Sequence, residues 1–327
     1  AARHYLAHAE RRGRKSSTRQ NIESEVRVHL APFFAGRTLD AIRPEDVRDL
    51  VAALDGKRLA PKSIRNIVAT LSALFAFAKT PQRGWAATNP CEGIELPVVP
   101  DCSEVRFLTL DEVDALIANA RPGMFQTIDR ALYRTAAMTG LRKGELMALR
   151  WSDVDWIAGR VRVRRNYVRG EFGTPKSRRS TRSEPLADEV AGELERLHQA
   201  SRWRGDGDLV FAHPATGGPL AKSNVTRRMR AALRAARLDT THRFHDLRHT
   251  FGTRMAASGV AMRTLQEWMG HRDIATTLLY ADYAPSPHEV EMVRAAFDRS
   301  SCASNVGTIW AHSERISGDL TTPEPHE

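Results

Sequence analysis

His245-Asp246-Leu247-Arg248-His249-Thr250-Phe251 is followed by Trp268-Met269-Gly270-His271 and then by Tyr280. Upstream the chain reads Thr139-Gly140-Leu141-Arg142-Lys143-Gly144-Glu145-Leu146. Guanidinium is planar, permanently charged and donates in a fork that fits two phosphate oxygens. Arg142 and Arg248, from separate elements, are therefore candidates to clamp one phosphodiester and stabilise the charge that develops on it during transfer. A phenol with an ordinary pKa near ~10 is a poor nucleophile without a base or strongly cationic surroundings. Tyr280 is the candidate nucleophile. His245 stands three residues before Arg248, so both side chains lie on one helix face. His271 follows Gly270 at a helix-to-turn junction, and residues 273–279 read as a short helix leading into Tyr280. A covalent phosphotyrosine would hold the bond energy, so rejoining needs no ATP, and no GxxxxGK[ST] loop occurs in the chain.

Each motif alone means little. A lone His-x-x-Arg is ordinarily packing or a surface pair, and an isolated tyrosine is ordinarily a core residue. Thr-Gly-Leu-Arg, His-x-x-Arg, Gly-His and Tyr, in that order in one basic helical chain, resemble the tyrosine recombinase (phage integrase) family, over residues 14–284. The resemblance implies a site-specific DNA recombinase that cleaves and rejoins DNA through a 3′-phosphotyrosine. It matches Arg142 and Arg248 to the phosphate-binding arginines, His245 to an acid/base or phosphate ligand and His271 to the second motif histidine. Tyr280, rather than the neighbouring Tyr283, matches the nucleophile. Glu145 matches an acidic position that supports the first arginine, although an early-helix acid is also favoured by the helix dipole.

The family's general acid for the departing 5′ oxygen is a lysine in a β-hairpin turn. Here residues 161–163 and the following Tyr167-Val168 read as one strand, residues 170–175 as the turn, and Lys176 sits at its far edge. Lys176 is the only lysine in that hairpin, and Arg178, Arg179 and Arg182 do not readily give up a proton. The resemblance further implies a prophage or integrative-element integrase working on double-stranded attachment sites as a tetramer. A directionality or host bending factor would be a further partner. No cofactor or metal is expected, and the place of action would be the bacterial cytoplasm, at the nucleoid. An Xer-type chromosome-dimer resolvase is the alternative within the class; the N-terminal segment resembles the integrase version more.

Two readings come from other classes. His242, His245 and His249 are three or four residues apart, as in a zinc-dependent hydrolase. The segment lacks the glutamate of HExxH, and an arginine among the ligands would repel the cation. A binding-only DNA regulator is the other, and the filled catalytic set speaks against it.

Composition agrees with a polyanionic partner. The 327 residues carry a formal net charge of +10, with a pI of about 10.0. Seven of the 49 basic residues are lysine, leaving 42 arginines. Cys91, Cys102 and Cys302 show no CxxC and no metal spacing, as in a reducing cytosol. No signal peptide or membrane-length apolar run is present. The chain starts with Ala1 rather than Met, so an upstream segment is an open expectation.

The expected fold is mainly α with a small antiparallel β-sheet. Residues 1–97 read as a helical, SAM-like core-binding domain. Apolar positions Ile22, Val26, Leu30 and Phe33 mark a helix over 19–34; Pro44 opens one over 45–54, and Pro61 one over 63–79. Residues 39–47 resemble the core-binding domain of integrases. Arg14, Lys15, Arg19, Lys62 and Arg65 gather at helix starts and are candidate DNA contacts, though any one of them fits equally well as solvated surface charge. Residues 98–104 read as a linker and 105–285 as the catalytic domain. Within it Thr109 and Glu112 form a capping box and Gly140 ends a helix. Helices are expected over 143–149, 188–202, 223–238 and 245–257, and three strands over 160–186. Residues 286–327 hold a short helix (290–297) and a polar tail with Pro323 and Pro325, which reads as disordered.

Overall fold

A computed structural model describes residues 1–100, 105–173, 182–281 and 293–294. Lys176, Tyr283, the tail and all but residues 293–294 of the expected C-terminal helix lie outside the described residues. The chain divides into two compact units, Ala1–Glu104 with Val168–Glu171, and Val105–Tyr167 with Phe172–Glu327.

In the first unit α1 (Ala2–Arg11) precedes α2 (Ser16–Glu25). The path continues through a wide π turn, Val26–Leu30, into the short α3 (Ala31–Phe33). Pro32 offers no N–H to the preceding turn, and the wider turn absorbs the missing bond. Helices α4 (Pro44–Gly56) and α5 (Pro61–Ala78) both begin on the expected prolines. Val47, Leu50 and Leu54 of α4 share a core with Ile64, Ile67, Val68, Leu71 and Phe75 of α5. Burying each such large side chain stabilises the unit by about 1.5–3 kcal/mol relative to exposure.

The second unit starts with α6 (Leu110–Ala118), where Thr109 and Glu112 close the expected capping box at 3.2 and 2.8 Å. Helix α7 (Gln126–Thr139) stops at Gly140, and α8 (Lys143–Leu146) is shorter than the expected 143–149. Strands β1 (Val154–Asp155), β2 (Arg160–Val163), β3 (Asn166–Val168), β4 (Glu171–Gly173) and β5 (Arg182–Pro185) follow. They form two sheets, β1-β2-β5 and β3-β4. Val161 pairs Glu184 and Val163 pairs Arg182, antiparallel.

The strand reading is corrected here. Residues 161–163 and 167–168 are separate strands, because Arg164 and Arg165 leave the ladder for the buried Asp153, at 3.8 and 2.7 Å. The turn is Arg169-Gly170, not 170–175. Both residues have positive φ, 52° and 87°, as a tight two-residue hairpin requires, and Glu171–Gly173 is the return strand.

Helices α9 (Asp188–Ala200), α10 (Lys222–Ala235), α11 (Phe244–Ala257), α12 (Met262–Met269) and α13 (Ala275–Leu278) complete the unit. Its core joins Leu132, Tyr133 and Ala136 of α7 to Leu194 of α9, Met229 of α10 and Leu247 of α11. That packing fixes the end of α7 and one face of α11. The result is mainly α with small antiparallel sheets, as the sequence implies.

Candidate active site

Two helix ends and one helix face build the site. Gly140 and Gly270 end α7 and α12 in the left-handed region, φ 63° and 59°, where a side chain is disfavoured. The chain turns sharply at each, and the last carbonyls are left facing inward. Arg142 is the N-cap of α8. Its backbone N–H donates to Glu145 Oε2 at 2.9 Å, and its guanidinium donates to Glu145 Oε1 and the Gly270 carbonyl, each at 3.0 Å. Arg248, on α11, is 2% exposed. It donates to the carbonyls of Gly140 and Met269. The two arginines are thus brought together by main-chain oxygens of the two helix ends.

Arg182 on β5 is a third guanidinium that sequence reasoning treated only as a poor acid. It donates to both oxygens of Glu145, at 3.2 and 3.0 Å, and to Glu184 Oε1 at 2.5 Å. Arg182 and Glu184 are two apart on a strand and so share a face, which was the one available signal. Burial would raise the Glu145 carboxyl, but Arg182 and Arg142 outweigh it and hold the pKa at about 2. For Glu184 burial wins over Arg182 and lifts it to about 8; its Oε2 has no hydrogen-bond partner. Burial and the neighbouring Arg142 press Arg248 down to about 9. Two carboxylates, Glu145 and Glu184, thus stand against three guanidiniums, and burial biases the second toward its neutral form.

Tyr280 is 3% exposed. Its ring lies parallel to that of His271, 11° apart with centroids at 6.3 Å. The hydroxyl end of the ring rests on Gly252 of α11, where a Cβ would lie 2.6 Å from it. The hydroxyl bonds to His249 Nδ1 at 3.0 Å. Burial raises the phenol pKa, against the pull of Arg248 and Arg142. His271 is held by Thr277 Oγ1, 2.9 Å from its Nδ1. Burial and the arginines lower its pKa to about 3. His245 is exposed, and partial desolvation with His249 and Arg248 beside it lowers its pKa. Both imidazoles are neutral at pH 7.

Arg142, Glu145, His245, Arg248, His271 and Tyr280 thus lie together, joined by Arg182, His249, Thr277 and Gly252, which the sequence reading did not place there. The three spaced histidines do not share one centre: His242 turns to Asp246 Oδ2 at 3.2 Å, while His249 stands edge-on to His245 and bonds to Tyr280 at 3.0 Å. Among the described residues no group of three His, Cys, Asp or Glu is arranged to hold a metal ion, and no helix is long and apolar enough to cross a membrane. In the first unit Arg14, Lys15 and Lys62 are exposed, whereas Arg19 pairs with Glu10 and Arg65 donates to the Pro97 carbonyl at 3.1 Å.

Residues 106–286 match the model of the phage integrase family. The ICEBs1 integrase of Bacillus subtilis is 26% identical over 272 residues, covering 79% of this chain and 72% of the relative. A tyrosine recombinase of Thermosipho africanus is 27% identical over 296 residues, covering 86% and 93%. Among solved structures, the Tn1549 transposon integrase in complex with a circular intermediate DNA superposes with a TM-score of 0.72 at 22% identity, covering 90% of this chain and 98% of that one. A lambda integrase dimer bound to a COC′ core site gives 0.66 at 19%, covering 85% and 92%. At these identities the structural likeness establishes the fold.

Proposed function

The chain belongs to the phage integrase family and is a tyrosine recombinase, an enzyme of DNA cleavage and rejoining, and we propose that Tyr280 is its nucleophile and Arg142 and Arg248 its phosphate clamp. The observation that carries this assignment is the unbalanced charge. Three guanidiniums face two carboxylates beside a buried phenol. Guanidiniums in excess of carboxylates at a site that Arg142 leaves partly open to solvent attract an anion, and a DNA phosphodiester supplies it. Its two non-bridging oxygens accept from N–H groups of Arg142 and Arg248 other than those bound to the helix-end carbonyls. Charge that develops at phosphorus then meets donors already in place.

In the proposed step the Tyr280 oxygen forms a bond to phosphorus and the bond to the 5′ oxygen breaks. That oxygen takes a proton from Lys176, the general acid implied by the family resemblance. His271, held by Thr277, fixes one face of the Tyr280 ring. His245, at the open edge, donates to or accepts from a phosphate oxygen according to its tautomer. Glu145 positions Arg142 and, through Arg182, is itself kept ionised. Arg14, Lys15 and Lys62 contribute phosphate contacts that place the DNA without reading its sequence. The substrate is the pair of duplex attachment sites of a mobile element. The assembly is a tetramer formed on that DNA, aided by a directionality or host bending factor, and it acts at the bacterial nucleoid.

The test uses nicked duplexes drawn from the DNA flanking the gene, which trap a covalent complex because the cleaved fragment diffuses away. Wild-type protein forms a band that survives denaturant, and Tyr280→Phe forms none while still shifting the DNA. A denaturant-resistant band from Tyr280→Phe, together with its loss in Tyr283→Phe, overturns the assignment.

A further inference from the structure

Tyr280 needs to lose a proton, and the surroundings oppose its leaving unaided, because burial outweighs the nearby arginines. Neither motif histidine hydrogen-bonds to the Tyr280 hydroxyl among the described residues. His271 has its Nδ1 on Thr277, and His245 stands edge-on to the His249 ring, 4.8 Å between centroids. His249 is the group in contact with the reacting oxygen, Nδ1 to hydroxyl at 3.0 Å. The contact is built rather than incidental. Gly252 lies one turn further along α11, and its missing side chain leaves the flat seat that the Tyr280 ring occupies. His249 and Gly252 thus hold the tip and the face of one ring from a single helix. The residue behind His249 is Asp246, one turn back on α11, whose carboxylate favours an imidazolium there.

We propose that His249 is a catalytic residue of this recombinase, the general base that accepts the Tyr280 proton. The inference rests on Tyr280 being the nucleophile. With the ring proton on Nε2, Nδ1 presents a lone pair to the hydroxyl. As the Tyr280 oxygen bonds to phosphorus, its O–H bond breaks and the proton passes to Nδ1. The 5′ oxygen leaves with a proton from the general acid, and the phosphodiester keeps its single negative charge as a phosphotyrosine diester. On rejoining, the imidazolium returns the proton to the departing phenolate oxygen. The groups facing His249 are Asp246, which favours its charged form, Arg248 on α11 and Arg243 at its N-cap, which disfavour it, the ring of His245 edge-on, and Tyr280 opposite on the segment after α13. Burial and Arg248 keep the ring neutral at pH 7, the state a base requires.

The experiment measures the rate of covalent-complex formation on the nicked duplex for wild type, His249→Ala and His249→Asn, with Tyr280 as tyrosine or as site-specifically incorporated 3,5-difluorotyrosine. Asparagine keeps a hydrogen-bonding atom near the place of Nδ1 but cannot take a proton. Both variants should slow by roughly 10²–10⁴-fold, the usual contribution of a general base. The acidic limb of the wild-type pH–rate profile should vanish with them. The more acidic fluorinated phenol should restore at least tenfold to either variant and little to wild type. Gel-shift affinity and circular dichroism confirm folding; if His249→Ala does not fold, His249→Asn carries the test. A His249→Asn rate near wild type, or variants that fluorotyrosine does not rescue, overturns the base and leaves a positioning role. Should Tyr280→Phe form the covalent complex, the nucleophile reading falls; should it form none while both His249 variants keep wild-type rates, only the present inference falls.

Discussion

The first unit hides Leu50, Leu54, Ile64, Leu71 and Phe75, and its buried polar residues among those described are Thr70 and Asn89. The second hides a larger hydrocarbon core and, with it, Asp129, Glu145, Asp153, Glu184, Glu193, Asp246, Arg248 and His271. Folding alone accounts for the first interior. Burying an ion costs several kcal/mol, so the second needs a further reason. Much of its charge is balanced on the spot. Asp129 takes a bidentate pair from Arg228 at 2.7 and 2.9 Å, and Glu193 meets Arg196 and Arg130 at 3.0 and 3.4 Å. Around Tyr280 the ledger of charge does not close. The comparison teaches that buried charge does not by itself mark a working site; buried charge left unbalanced does.

The strongest way to break that distinction is to remove the excess. Arg248→Ala should lower covalent-complex formation by roughly 10²–10³-fold or more, the typical loss of a donor aimed at developing charge. Arg248→Lys should recover little of it, since an ammonium lacks the fork. A wild-type rate in Arg248→Lys would make this arginine structural. The first unit should behave oppositely. Leu71→Ala should destabilise it by about 2–5 kcal/mol, read as a shift in the urea midpoint, while covalent-complex formation per DNA-bound molecule stays within a factor of two. A rate that falls as steeply as the stability would erase the contrast.

Gly252→Ala sharpens the same contrast inside the second unit, because it touches the Tyr280 ring without touching any charge. The added Cβ meets the Tyr280 ring at 2.6 Å. Overpacking of this kind costs about 1–3 kcal/mol, so covalent-complex formation should fall roughly 5–150-fold with DNA affinity unchanged. Unaltered kinetics would show that the ring does not need this seat.

The smallest effect is a pH dependence of the DNA-free protein. Glu184 has a folded pKa of about 8 against an ordinary 4.5, so the folded state binds more protons than the unfolded one between those values. Its stabilising contribution is complete below pH 4.5 and lost as pH rises through 8. His271 has the opposite sense, about 3 against 6.5; its contribution is present above pH 6.5 and lost as pH falls. Between pH 6.5 and 8 only the Glu184 contribution of the two changes, and stability should decline by at most about 1.4 kcal/mol per pH unit. Glu184→Gln should flatten that decline in melting curves taken across the window. An unchanged slope would mean that Glu184 is ionised when folded.

Much of this was legible in the sequence because it is written in local signals. Prolines at Pro44 and Pro61, the Thr109–Glu112 box and the glycines at Gly140 and Gly270 each act within one turn of chain, and they end or begin helices as expected. The order of motifs carried Arg142, Arg248, His271 and Tyr280. What stayed hidden depends on pairs remote in sequence. Arg182 sits in an arginine-rich run where no single arginine stands out, and its partner Glu145 lies 37 residues away. His249 shares a helix face with His245, which made it look like a metal ligand until α13 brought Tyr280 against it. The strand boundaries failed for a related reason: Arg164 and Arg165 answer to Asp153, a buried acid outside the ladder.

Arg142 and Arg248 are gripped from behind by the carbonyls of Gly270 and Met269, and a carbonyl is present whatever side chain the residue carries. Substitutions along α12 can therefore accumulate without moving either arginine, provided the helix still ends at a glycine. A single inserted or deleted residue is another matter, since it turns those oxygens by about 100° around the helix axis. The mutational record of this segment should be asymmetric, with exposed side chains drifting freely, the buried Leu265 and Met269 staying apolar, and length held constant.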